Sequence, residues 1–128
     1  MKTVSFTGAV ISGQGSGRKY LSLPWVQLQI KEKLGFTPFL GTLNLKLTAQ
    51  SVKGKKQLAK AKSMGIFPAE GYCVGLIFRA AVGELECAIV IPKVESYPAD
   101  LLEVISPLNL REQLQLKDGD SVEVNVTL

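Results

Sequence analysis

The chain has 128 residues, of which 46% are hydrophobic and 20% are charged, the length and composition of one ordinary globular domain. It contains no histidine, which excludes Ser-His-Asp and Cys-His nucleophile systems and the commonest zinc ligand. No stretch approaches the roughly 18 apolar residues that a membrane span requires, and the first residues lack the apolar block of a signal peptide. We therefore expect a soluble, cytoplasmic protein with no membrane partner.

Positive charge is concentrated in one stretch. The net charge of +4 comes largely from the lysines of residues 53–62, which include no acidic residue. No aromatic residue interleaves these lysines, so a solvated helix face beside a loop is favoured over a nucleic-acid patch. A mild positive field that attracts polyphosphates is compatible with both interpretations.

Alternation of polar and apolar residues predicts several half-buried strands. Residues 72–82 and 85–91 are rich in β-branched and apolar residues, and Gly83-Glu84 between them predicts a hairpin. Cys73 and Cys87 lie in these two segments, which predicts two buried thiols rather than a disulfide or a zinc site. The clearest alternation is found at Val4, Phe6 and Val10, at Leu43, Leu45 and Leu47, and at Val122, Val124 and Val126.

Helical signals are shorter and fewer. The segment from Pro24 to Leu34 begins with a proline suited to a first helical turn and is followed by Gly35. Residues 98–105 carry leucines and isoleucine at helix-like spacing, which predicts a second helix. A third is predicted around residues 110–114, with Asn109 as its cap.

Many short strands with helices between them predict a mainly antiparallel closed barrel rather than a βαβ sheet. An Asp118-Gly119-Asp120 turn precedes the last strand. Residues 50–71 show the least pattern, and we expect them to form an excursion over the surface.

A glycine-rich segment, residues 12–19, contains three alternating glycines followed by Arg18 and Lys19. Without a Cβ, glycine lets backbone N–H groups approach phosphate oxygens closely. The spacing matches neither the G-x-G-x-x-G nor the G-x-x-x-x-G-K-[ST] fingerprint. On composition alone, a phosphate-binding loop and a flexible connection are equally supported.

Strand alternation in residues 41–47 sends the leucines to the core and Thr42, Asn44 and Lys46 to the other face. Hydroxyl and amide oxygens are hard ligands that suit Mg²⁺. The alternative is an ordinary amphipathic strand with its polar side in water. For this stretch alone the amphipathic strand is the favoured interpretation, and the asparagine, which is disfavoured in the middle of a strand, shifts it only slightly towards a function.

Glu103 lies in the run 97–111 among residues typical of a core. A lone glutamate on a helix is normally just solvated. Asn109 and Arg111, beside a helix start, are equally compatible with a cap and a surface charge.

Short segments spread over nearly the whole chain, outside the lysine-rich stretch, match one known family in combination. Together they resemble the archaeal CTP-dependent riboflavin kinase family. They are Val10-Ile11-Ser12-Gly13-Gln14-Gly15-Ser16-Gly17-Arg18, Leu21-Ser22-Leu23-Pro24, Leu34-Gly35-Phe36, Pro38, Gly41-Thr42-Leu43-Asn44-Leu45, Ile91-Pro92-Lys93, Leu102-Glu103-Val104-Ile105-Ser106-Pro107, Leu110-Arg111-Glu112-Gln113 and Leu116-Lys117-Asp118-Gly119-Asp120.

The resemblance implies a six-stranded closed barrel of the cradle-loop type, related to flavin-binding barrels, with short inserted helices. It implies transfer of the γ-phosphoryl group of CTP to the 5′-hydroxyl of riboflavin, giving FMN and CDP, with one Mg²⁺ ion shared with the CTP phosphates. We expect residues 1–128 to form a single barrel domain without an N-terminal winged-helix domain, and to act as a monomer.

The resemblance also implies which residues bind each ligand. Magnesium would bind Thr42 and Asn44, and the flavin would be held by Glu103 and by the residue eight positions earlier. That residue is usually threonine in the family, whereas here it is Glu95, followed by Ser96. Either Ser96 substitutes for the threonine or the contact is lost. The nucleotide would contact Gln14, Gly15, Ser16, Gly17, Arg18, Lys19, Leu108, Asn109, Leu110 and Arg111.

Two other functions remain open at this point. One is a barrel that senses flavin or nucleotide without catalysis. The other is a nucleic-acid-binding barrel that uses residues 53–62, which predicts a steeply salt-dependent affinity. Whether Glu103 also accepts a proton, and how cytosine is distinguished from other bases, stays open too.

Overall fold

The computed structural model describes residues 3–12, 21–58, 64–66, 75–92 and 97–127. No helix in these ranges is long and apolar enough to cross a membrane. The strands are β1 (Thr3–Ile11), β2 (Leu43–Leu47), β3 (Met64–Ile66), β4 (Gly75–Val82), β5 (Leu85–Pro92), β6 (Leu101–Ile105) and β7 (Ser121–Thr127), and the helices are α1 (Pro24–Leu34), α2 (Ala49–Leu58) and α3 (Leu110–Gln113).

Six of these strands close into an antiparallel barrel in the order β1, β2, β6, β5, β4, β7. The ring closes where Ala80 and Ala81 of β4 pair with Val126 and Asn125 of β7, and β7 returns to β1. The remaining strand, β3, pairs with β4 outside the ring. The predicted six-stranded closed barrel with short inserted helices is confirmed.

Two apolar clusters explain the pattern of the strands. Alternate residues of β1, β2 and β7, among them Phe6, Leu45 and Val124, are fully buried inside the barrel. A second cluster lies outside it, where Val26 and Ile30 of α1 pack against the outer face of β4, β5 and β6. Because both of its faces are covered, β5 reads as a continuous apolar run instead of an alternating one.

The first helix ends as predicted. Gly35 adopts a left-handed conformation with φ of 82°, and its N–H donates to the Lys31 carbonyl at 2.9 Å. Arg79 of β4 donates to the carbonyls of Lys33 and Leu34, so a side chain of the barrel satisfies the last turn of α1.

The hairpin, the third helix and the closing turn are also confirmed. Val82 pairs with Leu85 across the Gly83-Glu84 turn. The Asn109 side chain accepts a hydrogen bond from the Glu112 N–H at 3.2 Å, capping α3. Cys87 is buried at 1% exposure as predicted, and Cys73 lies outside the described residues.

The predicted helix over residues 98–105 is wrong, because residues 101–105 form the strand β6. This strand pairs with β2 on one side and β5 on the other, which satisfies its backbone groups. Leu102 faces the barrel interior, whereas Ile105 joins the outer cluster beneath α1. Because apolar residues lie on both faces of this strand, their spacing in the sequence resembles that of a helix.

The predicted surface excursion over residues 50–71 is wrong for most of its described part. Residues 49–58 form α2, and Leu58 belongs to the barrel core. Lys53 and Lys56 are exposed, as a solvated helix face requires, but Lys55 is only 7% exposed. The remaining lysines of the stretch, at positions 60 and 62, lie outside the described residues.

Candidate active site

Three neighbouring strands bring the candidate residues into one row. Asn44 of β2 lies opposite Ile11 of β1 on one side and Glu103 of β6 on the other. The leucines that flank Asn44 point into the barrel, so Asn44 faces outward. The glycine-rich segment begins at Ser12, directly after Ile11, and the chain therefore leaves β1 beside Asn44.

Thr42, one of the two predicted metal ligands, places its hydroxyl close to the other ligand, Asn44, and to the predicted flavin ligand, Glu103. Its Oγ1 lies 2.9 Å from Asn44 Oδ1 and 3.3 Å from Glu103 Oε1, and its one proton is shared between these two acceptors. The three side chains are half-buried. Their oxygens form a compact set of hard donors.

This donor set fits magnesium bound together with a polyphosphate. Mg²⁺ binds few protein oxygens and fills its other positions with water and phosphate oxygens. Within the described ranges, no group of three or more aspartate, glutamate or cysteine side chains could hold a metal ion.

The second oxygen of Glu103 is engaged by Tyr97. The Tyr97 hydroxyl donates to Glu103 Oε2 at 2.7 Å. Burial raises the pKa of the Tyr97 phenol, and the negative charge of Glu103 and the hydrogen bond raise it further. Tyr97 therefore keeps its proton and remains a donor to the carboxylate.

Lys55 of α2 lies against residues 97–101, the segment that begins with Tyr97. Its Nζ donates to the carbonyls of Leu101 at 2.7 Å, Pro98 at 3.2 Å and Ala99 at 3.5 Å. The ammonium also lies 4.7 Å from the centroid of the Tyr97 ring. Burial lowers the pKa of Lys55, while the charges of Asp100 and Glu103 raise it.

A pocket lined in part by Thr42 lies against the chain that leads into α3. Ser106, 2% exposed, holds this chain in place: its hydroxyl donates to the Glu86 carbonyl at 2.9 Å and accepts from the Leu108 N–H at 3.2 Å. The residues that line the pocket are Phe39, Gly41, Thr42, Leu43, Val104, Ser106, Leu108, Asn109, Leu110 and Arg111.

Asp118 ties two of the candidate nucleotide-binding elements together. Its Oδ2 accepts from the Ser12 hydroxyl at 2.7 Å and its Oδ1 from the Arg111 guanidinium at 2.7 Å. These hydrogen bonds, that from Ser12 first, lower the pKa of Asp118. Arg111 is thus held beside the start of the glycine-rich segment.

Of the residues predicted from sequence, the structure brings together Thr42, Asn44 and Glu103, and it places residues 108–111 around the adjoining pocket. Residues 14–19, Glu95 and Ser96 lie outside the described residues, and their roles stay predictions.

Sequence reasoning missed Tyr97, Lys55 and Asp118 as members of this network. Asp118 lies in a turn that the sequence predicts. Its partners are not evident from sequence, because Ser12 is distant along the chain and no motif marks Arg111 as a partner of Asp118. Tyr97 and Lys55 belong to no motif, and nothing in their spacing indicates that they meet.

Known proteins match nearly the whole of this chain. A protein-family model, CTP-dep_RFKase, described as domain of unknown function DUF120, matches residues 10–126. The riboflavin kinases of Archaeoglobus fulgidus and Ignicoccus hospitalis are each 45% identical over 98% of this chain. The riboflavin kinase of Pyrobaculum islandicum is 41% identical over 98% of it. The chain spans 56%, 72% and 62%, respectively, of the length of these three relatives.

Proposed function

We propose that this chain, which belongs to the CTP-dependent riboflavin kinase family, transfers the γ-phosphoryl group of CTP to the 5′-hydroxyl of riboflavin, giving FMN and CDP. The observation that carries the proposal is the hydrogen bond from Thr42 to Glu103. It joins the residue expected to bind the metal to the residue expected to bind the flavin, at the edge of the pocket formed by residues 108–111. Donor, metal and acceptor would then meet at one point.

Phosphoryl transfer requires mainly positioning and stabilisation of negative charge, because the transition state spreads charge over the transferring oxygens. A chain without histidine can meet both requirements with cations, hydroxyls and carboxylates. The network described above provides these groups.

Thr42 and Asn44 would hold the magnesium ion through their side-chain oxygens. Both ligands are neutral and leave most coordination positions to water and to the CTP phosphates. The ion, when bound, would supply positive charge to the phosphate oxygens.

Glu103 would orient the ribityl chain by accepting a hydrogen bond from one of its hydroxyls. Thr42 and Tyr97 each donate to one carboxylate oxygen, which fixes the plane of the carboxylate. An ionised carboxylate also has free lone pairs for a substrate hydroxyl.

The pocket lined by residues 108–111 would receive the nucleotide. Arg111 is 40% exposed and carries a positive charge that a triphosphate can approach. The proposed binding of the phosphates by residues 14–19 rests on the family pattern together with the position of Ile11, which precedes Ser12 and lies opposite Asn44.

The donor and acceptor can be tested directly. We expect the purified protein, incubated with riboflavin and magnesium, to form FMN with CTP and little with ATP, GTP or UTP, as followed by chromatography. No FMN with any donor would refute the kinase function. FMN from ATP but not from CTP would refute the donor assignment.

The metal site is tested by a paired substitution. Thr42→Ala with Asn44→Ala should abolish magnesium-dependent FMN formation, because both protein oxygens are lost. Ser5 and Asn125 form a comparable hydroxyl-to-amide hydrogen bond of 2.6 Å on β1 and β7, so Ser5→Ala with Asn125→Ala is the matched control and should leave activity unchanged. If the first double variant kept its turnover and magnesium dependence, the site assignment would be wrong.

The same proposal places the reaction in the cytoplasm, where nucleoside triphosphates are kept, and assigns it to a monomer. A sedimentation measurement at working concentration should therefore give the mass of one chain.

A further inference from the structure

Both oxygens of the Glu103 carboxylate are already engaged by donors of this chain. Thr42 binds Oε1 at 3.3 Å and Tyr97 binds Oε2 at 2.7 Å. Thr42 sits just before β2, the strand next to Glu103, whereas Tyr97 comes from the turn that leads into β6. The shorter of the two hydrogen bonds thus comes from outside the sheet, and a hydrogen bond to a charged acceptor is among the stronger ones.

Lys55 holds the turn that carries Tyr97. Its ammonium donates to the carbonyls of Pro98, Ala99 and Leu101 and lies against the Tyr97 ring. An ammonium has three protons, so these carbonyls satisfy the cation. One side chain of α2 therefore fixes both the backbone of residues 97–101 and the ring whose hydroxyl reaches Glu103.

The burial of Lys55 itself needs a reason. At 7% exposure this lysine has given up most of its hydration, which is costly for a charged group. Lys53 and Lys56 on the same helix remain in water. A lysine required only for solubility would face the same way as they do.

We propose that Tyr97 and Lys55 are positioning residues for the flavin site: Tyr97 orients the Glu103 carboxylate, and Lys55 holds Tyr97 in place. The inference rests on the proposed function, in which Glu103 binds riboflavin, and it adds two residues that set flavin affinity without contacting the phosphates.

The decisive variant is Tyr97→Phe, which removes the hydroxyl and keeps the ring beside Lys55. Riboflavin binding, measured by quenching of flavin fluorescence without nucleotide, should weaken by up to about tenfold, because the Glu103 carboxylate loses the hydrogen bond that orients it. Some loss of stability is expected as well, because the same hydrogen bond is present in the unliganded protein. The KM for CTP should change by less than about twofold, whereas a purely structural role would impair both substrates together.

A double-mutant cycle tests whether Tyr97 acts through Glu103. In a Glu103→Ala background, the effect of Tyr97→Phe on riboflavin affinity should fall below about twofold, because no acceptor remains for the Tyr97 hydroxyl to orient. Equal losses in both backgrounds would show that Tyr97 acts independently of Glu103 and would overturn the proposal.

Lys55→Met tests the second residue, with Lys56→Met as the matched control on the same helix. The first should weaken riboflavin binding in the same direction as Tyr97→Phe, and the second should leave it unchanged. Lys55→Arg retains a cation beside the ring and should bind riboflavin more tightly than Lys55→Met. If Lys55→Met does not fold, the comparison of Lys55→Arg with wild type decides: unchanged CTP kinetics with weaker riboflavin binding supports positioning, and equal loss for both substrates overturns it.

The two levels of failure are distinguishable. A wild-type protein that binds no riboflavin would refute the proposed function. A wild-type protein that binds riboflavin, with Tyr97→Phe binding it equally well, would refute this inference alone.

Discussion

The polar side chains of the site are ordinary in type, and what distinguishes them is the set of hydrogen bonds between them. Thr42 and Asn44 are neutral, and Glu103 is one carboxylate among many, yet Thr42 lies within hydrogen-bonding distance of both other side chains. Within the described ranges, no buried side-chain nitrogen or oxygen lacks a partner. Even the buried ammonium of Lys55 obeys this rule, because backbone carbonyls accept its hydrogen bonds.

Asp118 gives a residue-level prediction about acid stability. Its pKa is lowered in the folded protein, so its ionised form is favoured there. The resulting stabilisation is present above the unfolded-state pKa of about 3.9 and is lost as the pH falls through the lower folded-state value. Asp118→Asn should therefore reduce the urea midpoint at pH 7 and show a smaller loss between pH 5 and the acid limit than the wild type.

The control for this measurement is Glu123→Gln, a change of an exposed acidic residue on β7. As an exposed substitution it should leave the urea midpoint at pH 7 unchanged. Parallel curves for Asp118→Asn and wild type would contradict the role given to the Ser12 and Arg111 hydrogen bonds.

At the scale of elements, β6 shows how tertiary contacts override a local pattern. Its apolar residues point to both faces, Leu102 into the barrel and Ile105 towards α1. Pairing with β2 and β5 fixes the extended conformation and the outward direction of Glu103. Had these residues formed the predicted helix, Glu103 would not lie opposite Asn44.

Two glycines in neighbouring elements give opposite predictions. In α2, a Cβ on Gly54 would lie 3.4 Å from the Phe6 ring, an ordinary contact, so Gly54→Ala should stabilise the protein by about 1 kcal/mol through helix propensity. In β1, a Cβ on Gly8 would lie 2.9 Å from Leu45 Cβ and from the Lys46 carbonyl oxygen. Gly8→Ala should destabilise by about 1–3 kcal/mol, because two strands must move apart.

Urea unfolding of both variants checks this pair, and each serves as the control for the other. Shifts of the same sign would mean that the packing of α2 or the separation of β1 and β2 differs from the structure described.

At the scale of the whole molecule, the barrel is closed by its shortest pairing. In the described residues, β4 meets β7 through two residue pairs, whereas β1 meets β7 through seven and β4 meets β5 through eight. Ala80 pairs with both Val126 across this closure and Cys87 of β5. The Cys87 thiol therefore lies next to the part of the ring that we expect to open first.

Cys87 can report that opening. Burial raises the pKa of its thiol to about 12, and the charge of Glu86 adds to this. In a Cys73→Ser background, the native protein should react with a thiol reagent at pH 8 only slowly, and at once in denaturant. Because the folded-state pKa is raised, this group's contribution to stability is present below the unfolded value of about 8.5 and is lost as the pH rises towards 12. Fast reaction of the native protein would contradict the buried position.

Sequence by itself determined much of this protein. Alternation placed the leucines of β2 inside and Asn44 outside, the residues at turns and caps marked the hairpin, Gly35 and Asn109, and the combination of short segments identified the family. These features are local, because each depends on neighbours a few residues away or on the residue type alone.

Only the tertiary structure decided what joins these pieces. The hydrogen bond from Thr42 to Glu103 spans 61 positions, and Lys55 meets residues more than 40 positions away. No local pattern carries such contacts, since they depend on which strands pair and in what register. Burial of Lys55 and the extended form of β6 follow from the same cause: the closed barrel supplies partners for backbone and charge that the neighbouring sequence does not contain.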